Sequence, residues 1–370
     1  MGPPVSTTMR AFVLTGHGGL DKLVFEDEWP VPELQPSEVL IRVSACGLNN
    51  TDINTRTAWY TKDGPGGLRA GNGGGGDEGG WRAGVEFPRI QGGDVCGHVV
   101  AVGPDVDDGL QGRRVLIDPW LRDWSAPDDL DRCGVLGSER DGGLADYVSI
   151  PAENVHPVES NLSDVELASF PMASITAANM LDRANIVEGD LVLITGASGG
   201  VGSALVQLTR SKGATPIAIC SPDKADMVAG LGAAAVVSRD EPDLRAALQA
   251  TIGRETVDAV MDVVGGAGWP RLMEVLPRRG RYCCSGAVAG PVVELDLRTL
   301  YLKDLTFTGA TITPPHLFAE LVSLIERGHL TPVVAATFPL EELQAAQEMF
   351  SAKRYVGNLV IDLDRERTAR

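Results

Sequence analysis

Residues 191–214, LVLITGASGGVGSALVQLTRSKGA, restrict the fold more than any other part of this chain. The apolar run from Leu191 to Ile194 suits a strand, a glycine-rich turn follows at once, and Val201, Leu205 and Leu208 then share one face of a helix. A turn of this kind lays backbone N–H groups and a helix N-terminus against a pyrophosphate. Against the pattern GxGxxG, the three small positions fall on Ala197, Gly199 and Gly202, with Gly200 an additional glycine. The cradle is therefore assigned to Ala197, Ser198, Gly199, Gly200, Val201 and Gly202.

One such turn is weak evidence, because a plain glycine turn can join any strand to any helix. Five further apolar runs strengthen it: TPIAICS (215–221), AAAVVS (233–238), VDAVMDVVG (257–265), GRYCCSGAV (280–288) and LTFTGAT (305–311). Runs this apolar suit strands covered on both faces, and most of the segments between them are long enough for crossover helices. The pattern predicts a doubly wound parallel sheet, an α/β architecture. Val264 and Gly286, at the ends of two of these strands, fall where a nicotinamide ribose is expected.

The second strand decides which dinucleotide fits. An acidic residue at its end would accept the ribose 2′-OH, yet this strand ends AICSPDK, with Ser221 in that place. A hydroxyl and the ammonium of Lys224 can bind a 2′-phosphate that a carboxylate would repel, so NADPH is the expected cofactor. Asp223 opposes this, and the alternative is that Ser221 caps the next helix while Lys224 is merely exposed.

The chain before about Val158 has another texture. Short alternating runs such as MRAFVLT, KLVFEDEW, EVLIRVSA, CGHVVAVG, RRVLIDP and LADYVSIP are divided by Gly and Pro, which predicts an antiparallel, barrel-like domain. Within it, DGPGGLRAGNGGGGDEGGWRAG (63–84) has too few apolar groups to offset the entropy of ordering and is expected to be a mobile surface loop. SDVELASFPMASITAANMLDRAN opens on Ser163 as an N-cap and continues at helical spacing. After PPHLFAELVSLIERG come one more helix and strand; six strands already complete the parallel sheet, so this tail is expected to return to the first domain.

The 50 acidic and 32 basic residues give a formal charge of −18, which repels nucleic acid and anionic membranes. No run is long and apolar enough to span a bilayer, and MGPPVSTTMRAF lacks the regions of a signal peptide, so a cytoplasmic protein with neither nucleic acid nor membrane as partner is expected. Six scattered cysteines without a CxxC make neither a disulfide framework nor a zinc ribbon.

The segments MRAFVLTGHGG, PSEVLIRVSACGLNNTD, GGDVCGHVVAVG, DGGLADYVSIPAENV, TGASGGVGSALVQLTRSKGA and YLKDLTFTGAT occur in an order that resembles the medium-chain dehydrogenase/reductase superfamily. The resemblance implies a GroES-like β-barrel catalytic domain (1–160 and 315–370), a Rossmann NAD(P) domain (161–314) inserted into it, a cleft between them, and a homodimer joined through RTLYLKDLTFTGAT. Zinc-dependent members take catalytic ligands at positions that fall here on Asn49, Gly93 and about Met172. A carboxamide, a bare glycine and a thioether cannot replace thiolate or imidazole, and the structural-zinc lobe keeps only Cys133, so no metal is expected. Cys46, Asp94, Cys96 and His98 are the alternative donors, although a Cys or His in an apolar strand is more often core.

The match of GLN plus a downstream Asp is similar to the quinone oxidoreductase-like branch. It implies hydride transfer to a quinone or an α,β-unsaturated carbonyl, the small-molecule partner. Asn49 would then donate to the acceptor oxygen and Tyr60 would be a second donor or proton source, while Asp52 and Arg56 orient the loop. The alternative is that Asn49 and Tyr60 bond only the backbone. Trp59, Trp81, Trp120 and Trp124 could line an aromatic acceptor's pocket or simply pack. An alcohol or aldehyde dehydrogenase that binds metal, and a non-catalytic NADPH sensor, are the competing functions.

Overall fold

The structure, a computed structural model, describes residues 6–61 and 85–365; the loop at 63–84, including Trp81, lies outside the described residues. The first domain contains β1 (Thr8–Leu14), β2 (Leu23–Pro30), β3 (Glu38–Gly47), α1 (Asn50–Arg56), β4 (Arg89–Ile90) and β5 (Asp94–Val102). It continues through β6 (Arg114–Ile117), β7 (Trp120–Leu121), β8 (Gly134–Val135), β9 (Tyr147–Pro151) and β10 (Val155–Pro157). Alternation places Ile41, Val43, Val95, Val99, Val115 and Ile117 in one buried cluster with Phe12 and Leu14, so the barrel strands enclose a single core.

The segment expected as one helix from Ser163 is two: α2 (Asp164–Leu167) and α3 (Pro171–Arg183). Ser163 does cap α2, its Oγ accepting from Glu166 N at 3.3 Å while Glu166 Oε2 accepts from Ser163 N at 2.8 Å. Pro171 explains the break, because it has no N–H to continue α2 and its ring suits the first position of a new helix.

The nucleotide domain then alternates: β11 (Leu191–Ile194), α4 (Gly200–Ser211), β12 (Thr215–Cys220), α5 (Ala225–Gly230), β13 (Ala235–Ser238), α6 (Leu244–Ile252) and β14 (Ala259–Asp262). α7 (Trp269–Glu274), β15 (Arg281–Cys284), α8 (Leu297–Leu302) and β16 (Thr306–Gly309) complete it. The six strands lie in the order β13-β12-β11-β14-β15-β16, every neighbouring pair parallel. Successive residues feed opposite layers: Val192 and Ile194 pack with Leu205 of α4 and Met180 of α3, whereas Leu193 packs with Leu248 of α6 and Leu272 of α7. This is the Rossmann arrangement, with helices on both faces, and the strand order switches direction beside β11.

Two more helices and two strands follow: α9 (His316–Glu326), β17 (Val334–Pro339), α10 (Leu343–Ala352) and β18 (Asn358–Asp362). β18 pairs with β3 and β17 with β18, so the tail joins the first domain's sheet. Beyond the boundary expected at 314, α9 buries Leu317, Phe318, Leu321 and Ile325 among the residues of α3, α4 and β11. Its apolar face matches the parallel sheet's helical layer, and the chain crosses back only after it.

Candidate functional site

The glycine-rich turn assigned to a dinucleotide forms where β11 ends. Gly196 takes φ +58, a left-handed conformation that only glycine adopts without strain, and turns the chain so that Gly199 caps α4 and accepts from Ser203 N at 2.8 Å. The first N–H groups of α4 have no partner inside the helix, the arrangement that suits a helix N-terminus to an anion. Ala197 is anchored by its N–H to Ile219 O at 3.1 Å, and Ser198 O accepts from Gly357 N at 2.9 Å. The returning strand β18 thus docks directly on the turn, and Asn358 lies so near Gly200 that any Cβ there would meet its Oδ1.

Asp262 organises the floor of the cradle. Fully buried at the end of β14, it accepts from Thr195 Oγ1 at 2.6 Å, Tyr282 OH at 2.8 Å and the N–H groups of Val264 at 2.8 Å and Gly265 at 3.2 Å. Burial first, then this carboxylate, raises the Tyr282 pKa, so the phenol remains a donor. Val264 borders Gly196, and Gly286 approaches the backbone of Val263, so both residues assigned to a ribose from the sequence lie close to the end of β14. The sequence pointed to the strand end but not to this acid; a lone carboxylate closing an apolar run was the available signal.

At the end of β12, Ser221 is buried and its hydroxyl bonds Asp223, which lowers the Asp223 pKa with help from Lys224 and Arg239. Two cations therefore answer one acid at the position where the adenosine ribose is expected. Lys224 Nζ donates to Lys353 O at 2.8 Å across the domain boundary.

The second group of sequence-assigned residues is gathered around α1. Asn49 caps the helix, and Asp52 Oδ2 accepts from Asn49 N at 2.7 Å. Asn49 Nδ2 donates to Asp94 Oδ2 at 2.9 Å, and Met172 N donates to Asp94 Oδ1 at 2.5 Å. A Cβ on Gly93 would stand 3.0 Å from Met172 Cε, so the three positions that match zinc ligands elsewhere converge here around one buried carboxylate. Tyr60 OH accepts from Asn54 Nδ2 at 3.1 Å, and burial raises its pKa. Arg56 donates to Gln347 Oε1 at 2.9 Å and Gly18 O at 2.8 Å, tying α1 to α10. The alternative donors do not assemble: Cys46 lies in the barrel core and Cys96 in the cluster beneath the parallel sheet. Among the described residues no three His, Cys, Asp or Glu side chains are placed to hold a metal ion. Asn49, Gly93 and Met172 themselves offer a carboxamide, a bare glycine and a thioether, none of them a thiolate, imidazole or carboxylate.

Burial pushes the Asp94 pKa up to about 7 and the Asp52 pKa up to about 6. A carboxyl that binds its proton more tightly when folded adds stability below about pH 4, its unfolded value, and loses it as pH rises through about 7. Asp94→Asn removes that titration and keeps the shape. Between pH 4 and pH 8 the variant is expected to gain on the order of 1–4 kcal/mol relative to wild type. Urea unfolding at several pH values measures this; parallel curves for the two proteins would refute it.

The model for the alcohol dehydrogenase GroES-like domain matches residues 35–160, and that for the zinc-binding dehydrogenase matches residues 200–327. A provisionally assigned alcohol dehydrogenase from Sinorhizobium meliloti 1021 is 45% identical, with a TM-score of 0.88 and 97% of each chain covered. This protein belongs to the medium-chain dehydrogenase/reductase superfamily. The mitochondrial NAD(P)H oxidoreductase RTN4IP1 of Bos taurus is 27% identical over 93% of this chain and 86% of its own. The 2-octenoyl-CoA carboxylase reductase CinF, solved with NADP and 2-octenoyl-CoA, is 26% identical, with a TM-score of 0.83, covering 97% of this chain and 88% of its own.

A medium-chain oxidoreductase must hold its two domains in register across the crevice, and a buried ion pair contributes here. Arg122 bonds Asp118 Oδ2 and, through its other terminal nitrogen, Thr313 O, each at 2.7 Å. Thr313 follows β16, so the guanidinium links the domains. Trp120 is buried beside this pair, and Trp124 lies under the guanidinium with its ring centroid at 5.6 Å and its Nε1 donating to Asn154 Oδ1 at 3.3 Å. Both pack against the ion pair, whereas Trp59 sits half-buried just past α1.

Proposed function

We propose that this protein is an NADPH-dependent reductase that passes hydride to a quinone or an α,β-unsaturated carbonyl without zinc, as in the quinone oxidoreductase-like branch. The observation that carries the reading is the convergence of Asn49, Gly93 and Met172 on Asp94, where a zinc centre would need thiolate or imidazole. Ser221, Lys224 and Arg239 support NADPH over NADH. The similarity to CinF, solved with NADP and an enoyl thioester, supports both the cofactor and the acceptor class.

Bound NADPH supplies the hydride. The turn at 197–202 holds the diphosphate, Ser221 and Lys224 receive the 2′-phosphate, and Val264 and Gly286 border the nicotinamide ribose. The Asn49 carboxamide has two N–H groups, of which one is on Asp94 and the other faces the acceptor oxygen as charge develops. Asp52 fixes α1 by accepting from Asn49 N, and Tyr60, protonated at neutral pH, returns a proton to the reduced acceptor. Two copies join through β16, one of the two edges of the parallel sheet among the described residues, beside the exposed Leu297, Tyr301 and Leu302 of α8. Sedimentation at the mass of one 39.1 kDa chain would remove the dimer.

The test is oxidation of NADPH and NADH against a panel of quinones, enones, enoyl thioesters and simple aldehydes. Turnover with at least one electron-poor acceptor is expected, with a preference for NADPH of about 10-fold or more. Tight binding without turnover would favour a sensor. Stoichiometric zinc with turnover of alcohols would favour the alcohol dehydrogenase reading, which the S. meliloti relative supports.

A further inference from the structure

Beyond β16 the chain from Ala310 to Thr313 is held by side chains. Ser285 Oγ donates to Ala310 O at 2.6 Å, Asn179 Nδ2 donates to Thr311 O and Ile312 O at 3.3 Å each, and Arg122 Nη2 donates to Thr313 O at 2.7 Å. Four successive carbonyls are thus fixed by three side chains. Ala310 N bonds Cys284 O at 2.9 Å, but the N–H groups of Thr311, Ile312 and Thr313 have no acceptor among the described residues. The pairing of β16 with β15 ends at Gly309, so Ser285, Asn179 and Arg122 set the conformation of this stretch.

The three side chains come from different elements. Ser285 follows β15, Asn179 belongs to α3, and Arg122 reaches across from the first domain with its side chain 1% exposed. Asn179 is equally buried, and its Oδ1 has no partner among the described residues, nor have Arg122 Nε and Thr313 Oγ1. Buried polar atoms left unpaired cost stability. Leucine has the same branched shape as asparagine and carries no polar atom, so packing alone does not call for asparagine at 179. What the amide holds does.

In an open parallel sheet, ligands bind outside the carboxyl ends of the strands. Residues 310–313 leave that end of β16, and Ser285 and Gly286 leave the same end of its neighbour β15. We propose that Asn179 and Arg122 are positioning residues: acting through the backbone of 310–313, they fix the wall against which the nicotinamide end of a bound dinucleotide is placed for hydride transfer. The proposal rests on the dinucleotide reading above and holds for either acceptor class. Placement matters because a displacement of about 1 Å between reacting atoms is enough to slow a reaction severely. Thr311 is exposed and Ile312 half-buried, so once Asn179 releases them their carbonyls can turn to water and the wall loosens without unfolding.

Asn179→Leu in the full chain frees both carbonyls. Three measurements test it: thermal unfolding of the free protein, fluorescence titration with NADPH and NADH, and turnover of whichever acceptor the wild type reduces. The variant is expected to melt near the wild-type temperature and to bind coenzyme within about 3-fold of wild type, because the phosphate turn is untouched. The emission of bound coenzyme, which reports how rigidly the nicotinamide ring is held, is expected to fall, and kcat to drop about 10-fold at unchanged acceptor KM. Arg122→Lys keeps a cation for Asp118 but lacks the fork that also reaches Thr313. It is expected to show the same two losses, and it carries the comparison if Asn179→Leu does not fold. Wild-type emission and kcat in both variants overturn the proposal. So does a loss of kcat that only follows the melting temperature while the emission of bound coenzyme is unchanged. A wild-type protein that binds coenzyme but reduces no acceptor refutes the reductase reading instead, and the emission comparison then decides this proposal.

Discussion

Asp262→Ala is expected to destabilise the fold by about 3–5 kcal/mol and to abolish coenzyme binding. The carboxylate is fully buried and receives four donors: the Thr195 and Tyr282 hydroxyls and the N–H groups of Val264 and Gly265. Alanine leaves all four facing a cavity, and each unsatisfied buried group costs about 1–3 kcal/mol before water or rearrangement recovers part of it. Binding fails for a geometric reason, because Thr195 adjoins the phosphate turn and Val264 its ribose end. Tyr282→Phe removes a single donor and is expected to cost only about 1 kcal/mol. Urea unfolding and NADPH titration measure both variants; a loss below about 1 kcal/mol for the alanine would show that the hub contributes little.

Gly202→Ala is expected to be nearly as severe. A Cβ at this position would lie 2.2 Å from Gly196 O and 2.6 Å from Ala197 Cα, inside contact distance of two backbone atoms. Flexible side chains could yield, but here only the strand, the turn or α4 can move. Overpacking of this kind typically costs about 1–3 kcal/mol, and displacement of α4 carries its N-terminal N–H groups away from the diphosphate. Affinity for NADPH should fall at least about 100-fold. Gly199→Ala is the control. Its Cβ meets only Gly196 O, at 3.5 Å, so the variant should fold within about 1 kcal/mol of wild type. Equal coenzyme affinity in Gly202→Ala and wild type would show that the close approach of helix to turn is not needed.

Most of the architecture was legible because it is written in short-range patterns. Continuous apolar runs marked all six parallel strands, alternation marked the main barrel strands, and a glycine turn between strand and helix marked the cradle. The error was also local in origin. Helical spacing alone ran through Pro171, whose missing N–H splits α2 from α3.

The sequence by itself determined that this chain builds a barrel beside a doubly wound sheet and binds a dinucleotide, since period and turn chemistry act over a few residues. The resemblance to the superfamily also pointed to Asn49, Gly93 and about Met172 as the places where zinc-dependent members hold ligands. Only the tertiary structure decided what those positions do together. Asn49 finds Asp94 across 45 residues of chain, Thr195 finds Asp262 across 67, and Lys353 finds Asn50 across 303. No periodicity encodes such pairs, because burial in the folded core chooses which polar groups must satisfy one another.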